Sequence, residues 1–261
     1  MMKMTFTSSY RRILYKMGYF DYQQGLIYRH LNEDEGWTGH EERCRKFILK
    51  ALDFYKPDKV TVLGSGWLLE LPLAEMAERV KTVILTDIVH PPEVISQTAN
   101  LKNVKITEED VTGGLIGEVW NKTGSRTFLN KLKSLDNLII PEYRPSEDPG
   151  MVISLNILTQ LENLPERLLR RKTKADENEF LDLRKKVQTK HLQFLQKHNS
   201  VLISDVAEVF TETGGKIVEK ETAVINLPAG KVREEWTWDF DLKKMDFNRK
   251  SSVMKVVGIL I

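Results

Sequence analysis

The 261-residue chain has a single cysteine, Cys44, so it cannot build a disulfide framework of its own and a reducing compartment is expected. No apolar run approaches the ~20 residues that cross a bilayer, which argues against a membrane partner. The opening residues, MMKMTFTSSYRR, lack the apolar core of a secretory signal, and a cytoplasmic location is expected. Charge nearly cancels: 39 Lys and Arg against 37 Asp and Glu leave +2, too little to draw the chain toward nucleic acid. The five histidines, His30, His40, His90, His191 and His198, show no metal-ligand spacing with Cys44, and no metal is expected. Neither a Gly-x-Ser-x-Gly elbow nor a Gly-Lys-Ser/Thr phosphate loop occurs. The basic stretch Arg167 to Lys174 is short and lacks interleaved aromatics, so it reads as a solvated helix end rather than a nucleic-acid site.

What is present is organised around Lys59 to His90, KVTVLGSGWLLELPLAEMAERVKTVILTDIVH. Val60 to Leu63 is a short β-branched apolar run, as in a buried strand. Gly64-Ser65-Gly66 breaks it. Leu73, Met76, Ala77 and Val80 then recur at helical spacing, and Thr82 to Thr86 is a second strand ending at Asp87. Strand, glycine turn, helix, strand and acid form the first half of a dinucleotide-type binding fold. Glycines let the backbone approach a ligand, and free N–H groups at such a turn favour an anion. Asp87, 23 residues past Gly64, ends the neighbouring strand, where a carboxylate can accept from both hydroxyls of a ribose.

The preceding residues 1–57 read as a helical extension: Arg11 to Tyr19, Tyr22 to Leu31, and a longer helix from Thr38 to about Tyr55, ended by Pro57. Thr38 followed by Glu41 looks like a capping box. The single apolar face of that last helix must be buried, so the extension is expected to cover the binding cleft rather than fold alone. Residues 58–261 read as one domain. Pro92 opens a helix, Asn103 to Thr107 is a third strand, and Met151 to Leu155 a fourth, ending at Asn156. Between them, 113–148 is punctuated by Gly113, Gly114, Gly117, Gly124, Pro141 and Pro145, with Phe128 to Leu135 as its one helical pattern; an insertion of this size could be a lid. Asp176 to His198 is a long helix and Ser200 to Ser204 a fifth strand. Lys216 to Val224, Glu235 to Leu242 and Val253 to Ile261 are three more strands, with Trp236, Trp238 and Phe240 on one face of the second. This order predicts an α/β, doubly wound, mainly parallel seven-stranded Rossmann-like sheet with an antiparallel C-terminal edge.

With these motifs the chain from residue 58 onward resembles the class I S-adenosylmethionine-dependent methyltransferases. VLGSG is similar to that family's first motif, LTD to its second, EEDV to its third and ISLNIL to its fourth. The resemblance implies S-adenosylmethionine as cofactor and methyl transfer to a small-molecule acceptor. It implies that Gly64, Ser65 and Gly66 approach the methionine part, that Asp87 and its neighbour Ile88 hold the ribose side, that Asp110 and Val111 meet the adenine edge, and that Asn156, counted with the cofactor-binding residues, stands where catalytic or positioning residues lie. Trp37, His40, Glu70 and Gln160 are the candidates for the substrate wall. His40 also reads as an exposed first-turn residue, and His90, a further candidate, as a strand-end loop residue.

The chain departs from the pattern in several places. Val62 stands where the family usually has an acid, Leu68 where a third glycine is common, and Asn156-Ile157-Leu158-Thr159 is not the Asn-Pro-Pro-aromatic signature of amino-methylating enzymes. Two other functions compete: a non-catalytic or differently reacting binder of the same cofactor, motivated by the irregular first motif and the absence of a recognisable substrate motif, and a nicotinamide-dependent oxidoreductase. The latter is disfavoured because Leu69 replaces the third glycine of Gly-x-Gly-x-x-Gly. Trp236 and Trp238 are expected to build core, and the oligomeric state is not legible.

Overall fold

The structure, a computed structural model, describes residues 6–33, 35–124, 130–212, 215–244 and 250–261. Its centre is an eight-stranded sheet. The strands are β1 (Lys59–Leu63), β2 (Thr82–Asp87), β3 (Val104–Glu108), β4 (Met151–Leu155), β5 (Ser200–Thr211), β6 (Ile217–Glu221), β7 (Val232–Asp241) and β8 (Ser252–Leu260). They lie in the order β3-β2-β1-β4-β5-β8-β7, with β6 off this path and paired to the far half of β5. β1 to β5 run parallel. β8 is inserted between β5 and β7, antiparallel to both. The predicted seven-strand path is therefore present, with β6 as an eighth strand beside it.

Strand periodicity decides the layers. Met151, Ile153 and Leu155 of β4 pack into the cluster that holds Phe47, Ile48 and Met76, while Val152 packs with Phe194 and Leu195 on the opposite face. Thus α3 (Thr38–Tyr55), α4 (Leu73–Arg79) and α5 (Pro92–Thr98) cover one face and α8 (Glu177–Leu195) the other, the doubly wound arrangement. α1 (Ser8–Met17) and α2 (Tyr19–Asn32) pack through Leu14 and Met17 on Val89 and Ile116, next to the carboxyl ends of the strands.

Some expectations need correction. Thr38 begins α3, but Trp37 is the cap and no side-chain capping bond forms; Glu41 instead meets His30 and Arg45. The capping box is at α8, where Asp176 accepts from Glu179 N–H and Glu179 accepts from Asp176 N–H. Two helices were not foreseen. α6 (Leu115–Thr123) was masked by Gly114 and Gly117; Gly114 is its left-handed cap, and Gly117 lies under the Tyr10 ring. α7 (Asn163–Lys172) hides its apolar side behind the basic stretch, burying Leu164 and Leu169. Of the helical pattern Phe128 to Leu135, the first two residues lie outside the described ones, and the remainder is not helical: Leu132 forms a bridge with Thr173. β5 runs seven residues past Ser204, through a bulge between Asp205 and Ala207. No helix among the described residues is long and apolar enough to cross a membrane.

Candidate functional site

Strand order reverses between β1 and β4, and a cavity opens at their carboxyl ends, as sheets of this kind dictate. Its volume is ≈ 150 Å³, about five waters at ~30 Å³ each. Gly64, Gly66, Asp87 and Ile88 line it from the first two strands, and Asp110 and Val111 from the turn after β3. Leu155, Asn156 and Gln160 line it from β4 onward. Tyr19, Tyr22 and Gln23 of α2 close it over the top. Three carboxylates, Glu70, Asp87 and Asp110, face this space, and no Lys, Arg or His side chain among the described residues does.

The glycine turn corrects one expectation. Its N–H groups are not free for an anion: Gly64 and Ser65 both donate to Thr86 O, and Gly66 donates to Asp87 Oδ2 at 2.8 Å. The two glycines differ. A Cβ on Gly64 would lie 2.1 Å from Ile157 Cγ2 and 2.7 Å from Leu155 O, at φ +81°. A Cβ on Gly66, at φ +48°, would meet only Asp87 Oδ2 at 3.9 Å. Gly64 therefore lets β1 and the β4 turn pass close together, and Gly66 is the residue that faces open cavity. Ser65 does not line the cavity; its hydroxyl lies 2.8 Å from Nε2 of the buried His90. Burial lowers the His90 pKa to about 4, so this pair is a neutral support beneath the turn.

Asp87 is nearly buried. Oδ2 accepts from Gly66, and Oδ1 from Ile88 N–H at 2.7 Å and Gln23 Nε2 at 3.4 Å. A carboxylate offers about four acceptor positions. Three backbone N–H groups, of Gly66, Ile88 and Val89, and the Gln23 amide together fill them, and the long bond from Gln23 is the one a ribose hydroxyl would replace. Burial pushes the Asp87 pKa up to about 6, against three backbone N–H groups that lower it. Asp110 is likewise engaged: Tyr10 donates to Oδ2 at 2.8 Å, and Thr112 donates to Oδ1 through both N–H and hydroxyl. Its pKa is raised by burial.

Asn156 has φ +52°, unusual for a residue other than glycine. Its Nδ2 lies 3.0 Å from His40 Nε2 and 3.4 Å from Glu70 Oε1, and Oδ1 has no partner. His40 does not reach the cavity and is not exposed, contrary to both readings of it. It stands directly behind Asn156, with 1% of its surface exposed, and stacks flat on Trp238 at 3.9 Å. Burial lowers its pKa to about 3, and burial raises that of Glu70 to about 7. Trp37, Glu70 and Gln160 do line the cavity; Tyr22 donates to Gln160 Oε1 at 3.1 Å.

Sequence reasoning missed Tyr19, Tyr22 and Gln23, whose helix carries no motif, and Trp238, read as core. Four wall residues hold a buried polar atom without a partner among the described residues: Tyr19 Oη, Gln23 Oε1, Asn156 Oδ1 and Trp238 Nε1. Burying a polar atom unpaired is costly, so four of them in one cavity make it the candidate site. Of the described residues of the insertion 113–148, only Ile116 reaches the wall; α2 lies over the cavity. No three His, Cys, Asp or Glu among the described residues gather as a metal would need.

The path β3-β2-β1-β4-β5-β8-β7, with a reversed strand inserted next to last, settles the architecture. It is a doubly wound, mainly parallel Rossmann-like sheet with an antiparallel C-terminal edge. No family model and no curated protein matches it. Among solved structures it is similar to the methyltransferase domain of bacterial CtHen1, at 11% identity over 83% of this chain and 98% of that one, with a TM-score of 0.34. It is also similar to the DhpI–SAH complex, at 11% identity over 91% of this chain and 95% of that one, with a TM-score of 0.32. Superpositions this loose carry no argument about ligand or reaction, and the fold statement rests on the strand order.

Proposed function

We propose that this protein binds S-adenosylmethionine in the cavity and transfers its methyl group to a small-molecule acceptor. The observation that carries the reading is the juxtaposition of Gly66 and Asp87 at the sheet's switch point, on a cavity whose wall holds four unpartnered polar atoms. Asp87 takes the ribose hydroxyls as Gln23 withdraws. Ile88 flanks the ribose, and Val111, with Asp110 holding its turn, meets the adenine edge. An acidic lining without any cationic side chain among the described residues suits a cofactor that carries a sulfonium and an ammonium. The bound cofactor supplies a methyl carbon already activated for displacement. The protein's part is then alignment and exclusion of water, which positioned binding sites do well. Within the extension before β1, α2 is the cover of this site. Tyr22, Trp37 and Gln160 are the acceptor's wall, and a covered cavity of this kind takes a small molecule rather than a nucleic acid.

Calorimetry with S-adenosylmethionine, S-adenosylhomocysteine, NAD and NADP tests the reading. Binding of the two adenosyl ligands and neither nicotinamide cofactor is expected; the reverse would sink it. The second reading, a non-catalytic binder, is favoured by a glycine turn whose N–H groups are all used within the protein. It predicts the same binding with no turnover of any acceptor in a metabolite pool.

A further inference from the structure

A ligand carboxylate entering this cavity finds no donor in the glycine turn, because Gly64, Ser65 and Gly66 N–H already serve Thr86 O and Asp87. It finds no cationic side chain among the described residues either. Besides Tyr19 in the roof, two buried donors stand together on the opposite wall. One is Trp238 Nε1–H, without a partner among the described residues on a side chain 4% exposed. The other is the Asn156 amide, 8% exposed, and the ring behind it fixes its direction.

Trp236 Nε1–H, which can only donate, reaches His40 Nδ1 at 3.0 Å. Nδ1 is therefore the acceptor, and a ring kept neutral by burial carries its one proton on Nε2. That Nε2–H must donate. The amide atom 3.0 Å away is consequently the oxygen of Asn156, and its NH2 takes the position that has no protein partner. The two ends of an amide exchange by a half-turn, which here gives up the long bond from the amide NH2 to Glu70 Oε1. Cys44 Sγ, 3.4 Å from the same nitrogen, is only a weak second acceptor. Glu70, on the same wall with Oε1 3.4 Å from the amide, meets that oxygen as a carboxylic acid when no ligand is present, in keeping with its raised pKa.

We propose that the turn after β4 is a zwitterion site: Asn156 NH2 and Trp238 Nε1–H hold the carboxylate of an α-amino-acid group, and Glu70 holds its ammonium. This rests on the cofactor reading, in which that group is the methionine end of S-adenosylmethionine. The glycine turn then serves as scaffold, and the amino-acid end lies against β4 instead.

The test compares S-adenosylhomocysteine with 5′-methylthioadenosine, which keeps the adenosine and the thioether and lacks the amino acid, by calorimetry on the full chain. Asn156→Asp keeps an acceptor for His40 and puts a carboxylate oxygen where the NH2 stood. Its affinity for S-adenosylhomocysteine is expected to fall at least tenfold, with 5′-methylthioadenosine within twofold of wild type. Glu70→Gln is expected to show the same selectivity and carries the test if Asn156→Asp does not fold. Equal losses for both ligands, or none for either, overturn the assignment while leaving the cofactor reading intact. A wild type that binds neither ligand overturns both. Long-range 1H–15N spectra provide a ligand-free readout: a neutral His40 with its proton on Nε2 is expected, and a proton on Nδ1 overturns the donor argument directly.

Discussion

The turn after β1 and the turn after β4 face the same cavity and are built on opposite principles. In the first, Gly64, Ser65 and Gly66 N–H all have protein acceptors, and Ser65 rests on a neutral His90. In the second, Asn156 adopts a left-handed conformation, holds one amide atom against His40 and leaves the other unpaired. A complete hydrogen-bond set makes a scaffold. An incomplete one, held in place by stacked aromatics, is a site that a ligand completes. The glycine motif, which attracts the eye in the sequence, is thus the more structural of the two.

The largest expected effect breaks the scaffold. Gly64→Ala puts a Cβ inside Ile157 and the Leu155 carbonyl at a positive φ. Collision and strain together should cost about 3 kcal/mol or more. For a chain of this length that is a fall of roughly 10 °C in melting temperature, read by calorimetric or circular-dichroism melts. A variant that melts like wild type would mean the two turns are not tightly apposed.

Next in size is Asp87, which belongs to both functions, since it fastens Gly66 and faces the cavity. Asp87→Ala should weaken S-adenosylhomocysteine binding at least tenfold, about 1.4 kcal/mol, with Asp87→Asn between it and wild type. Hydrogen bonds to a charged acceptor contribute about 1.5–3 kcal/mol each in a protected site. Undiminished affinity in Asp87→Ala, by calorimetry, would move the ribose elsewhere.

How far these differences can be read from sequence follows from what carries them. Strand, turn and acid are local, and the apolar runs from Val60 to Leu63 and Met151 to Leu155 announce a parallel sheet directly. The cavity's roof is another matter. Tyr19, Tyr22 and Gln23 reach the site through contacts some 60 to 140 residues distant in sequence, such as Gln23 to Asp87 and Tyr22 to Gln160. Their helix has no spacing rule to reveal them. His40 was misread for the same reason: at the first turn of a helix it looks solvent-exposed, and only the return of β7 brings Trp236 and Trp238 over it. Asn156 was legible as a position at a strand end, but its function depends on that distant ring.

The pH dependence of stability separates two carboxylates of the cavity, Glu70 and Asp87, in a smaller way. Glu70 titrates at about 7 and Asp87 at about 6, both raised by burial. A raised carboxyl pKa means that the folded protein holds the proton more tightly. Its contribution is complete below the unfolded value near 4 and is lost as pH rises through the folded value. These two groups therefore contribute a decline in melting temperature between pH 5 and pH 8, which the buried neutral His40, His90 and His191, their pKa values lowered by burial, oppose below about 6.5. Asp87→Asn should flatten the lower part of that decline and Glu70→Gln the upper part. Identical profiles for both variants and wild type would remove the electrostatic distinction.

The smallest expected effect concerns Gly66, the glycine that the structure leaves free. A Cβ there meets no atom closer than the 3.9 Å to Asp87 Oδ2, so Gly66→Ala costs only the left-handed backbone, about 1–2 kcal/mol. That is a few degrees in melting temperature at this chain length, well short of the change at Gly64. Its value lies in what it does to binding. If the amino-acid end of the ligand lies against β4, a methyl group at Gly66 leaves the Asn156 and Trp238 donors untouched, and S-adenosylhomocysteine affinity should fall by less than threefold. If the main chain at Gly66 is instead where that end is received, the methyl group occupies its place and the loss should reach tenfold or more, while 5′-methylthioadenosine is spared. Measured beside Asn156→Asp, with both ligands and the same melts, Gly66→Ala shows which of the two turns the ligand completes.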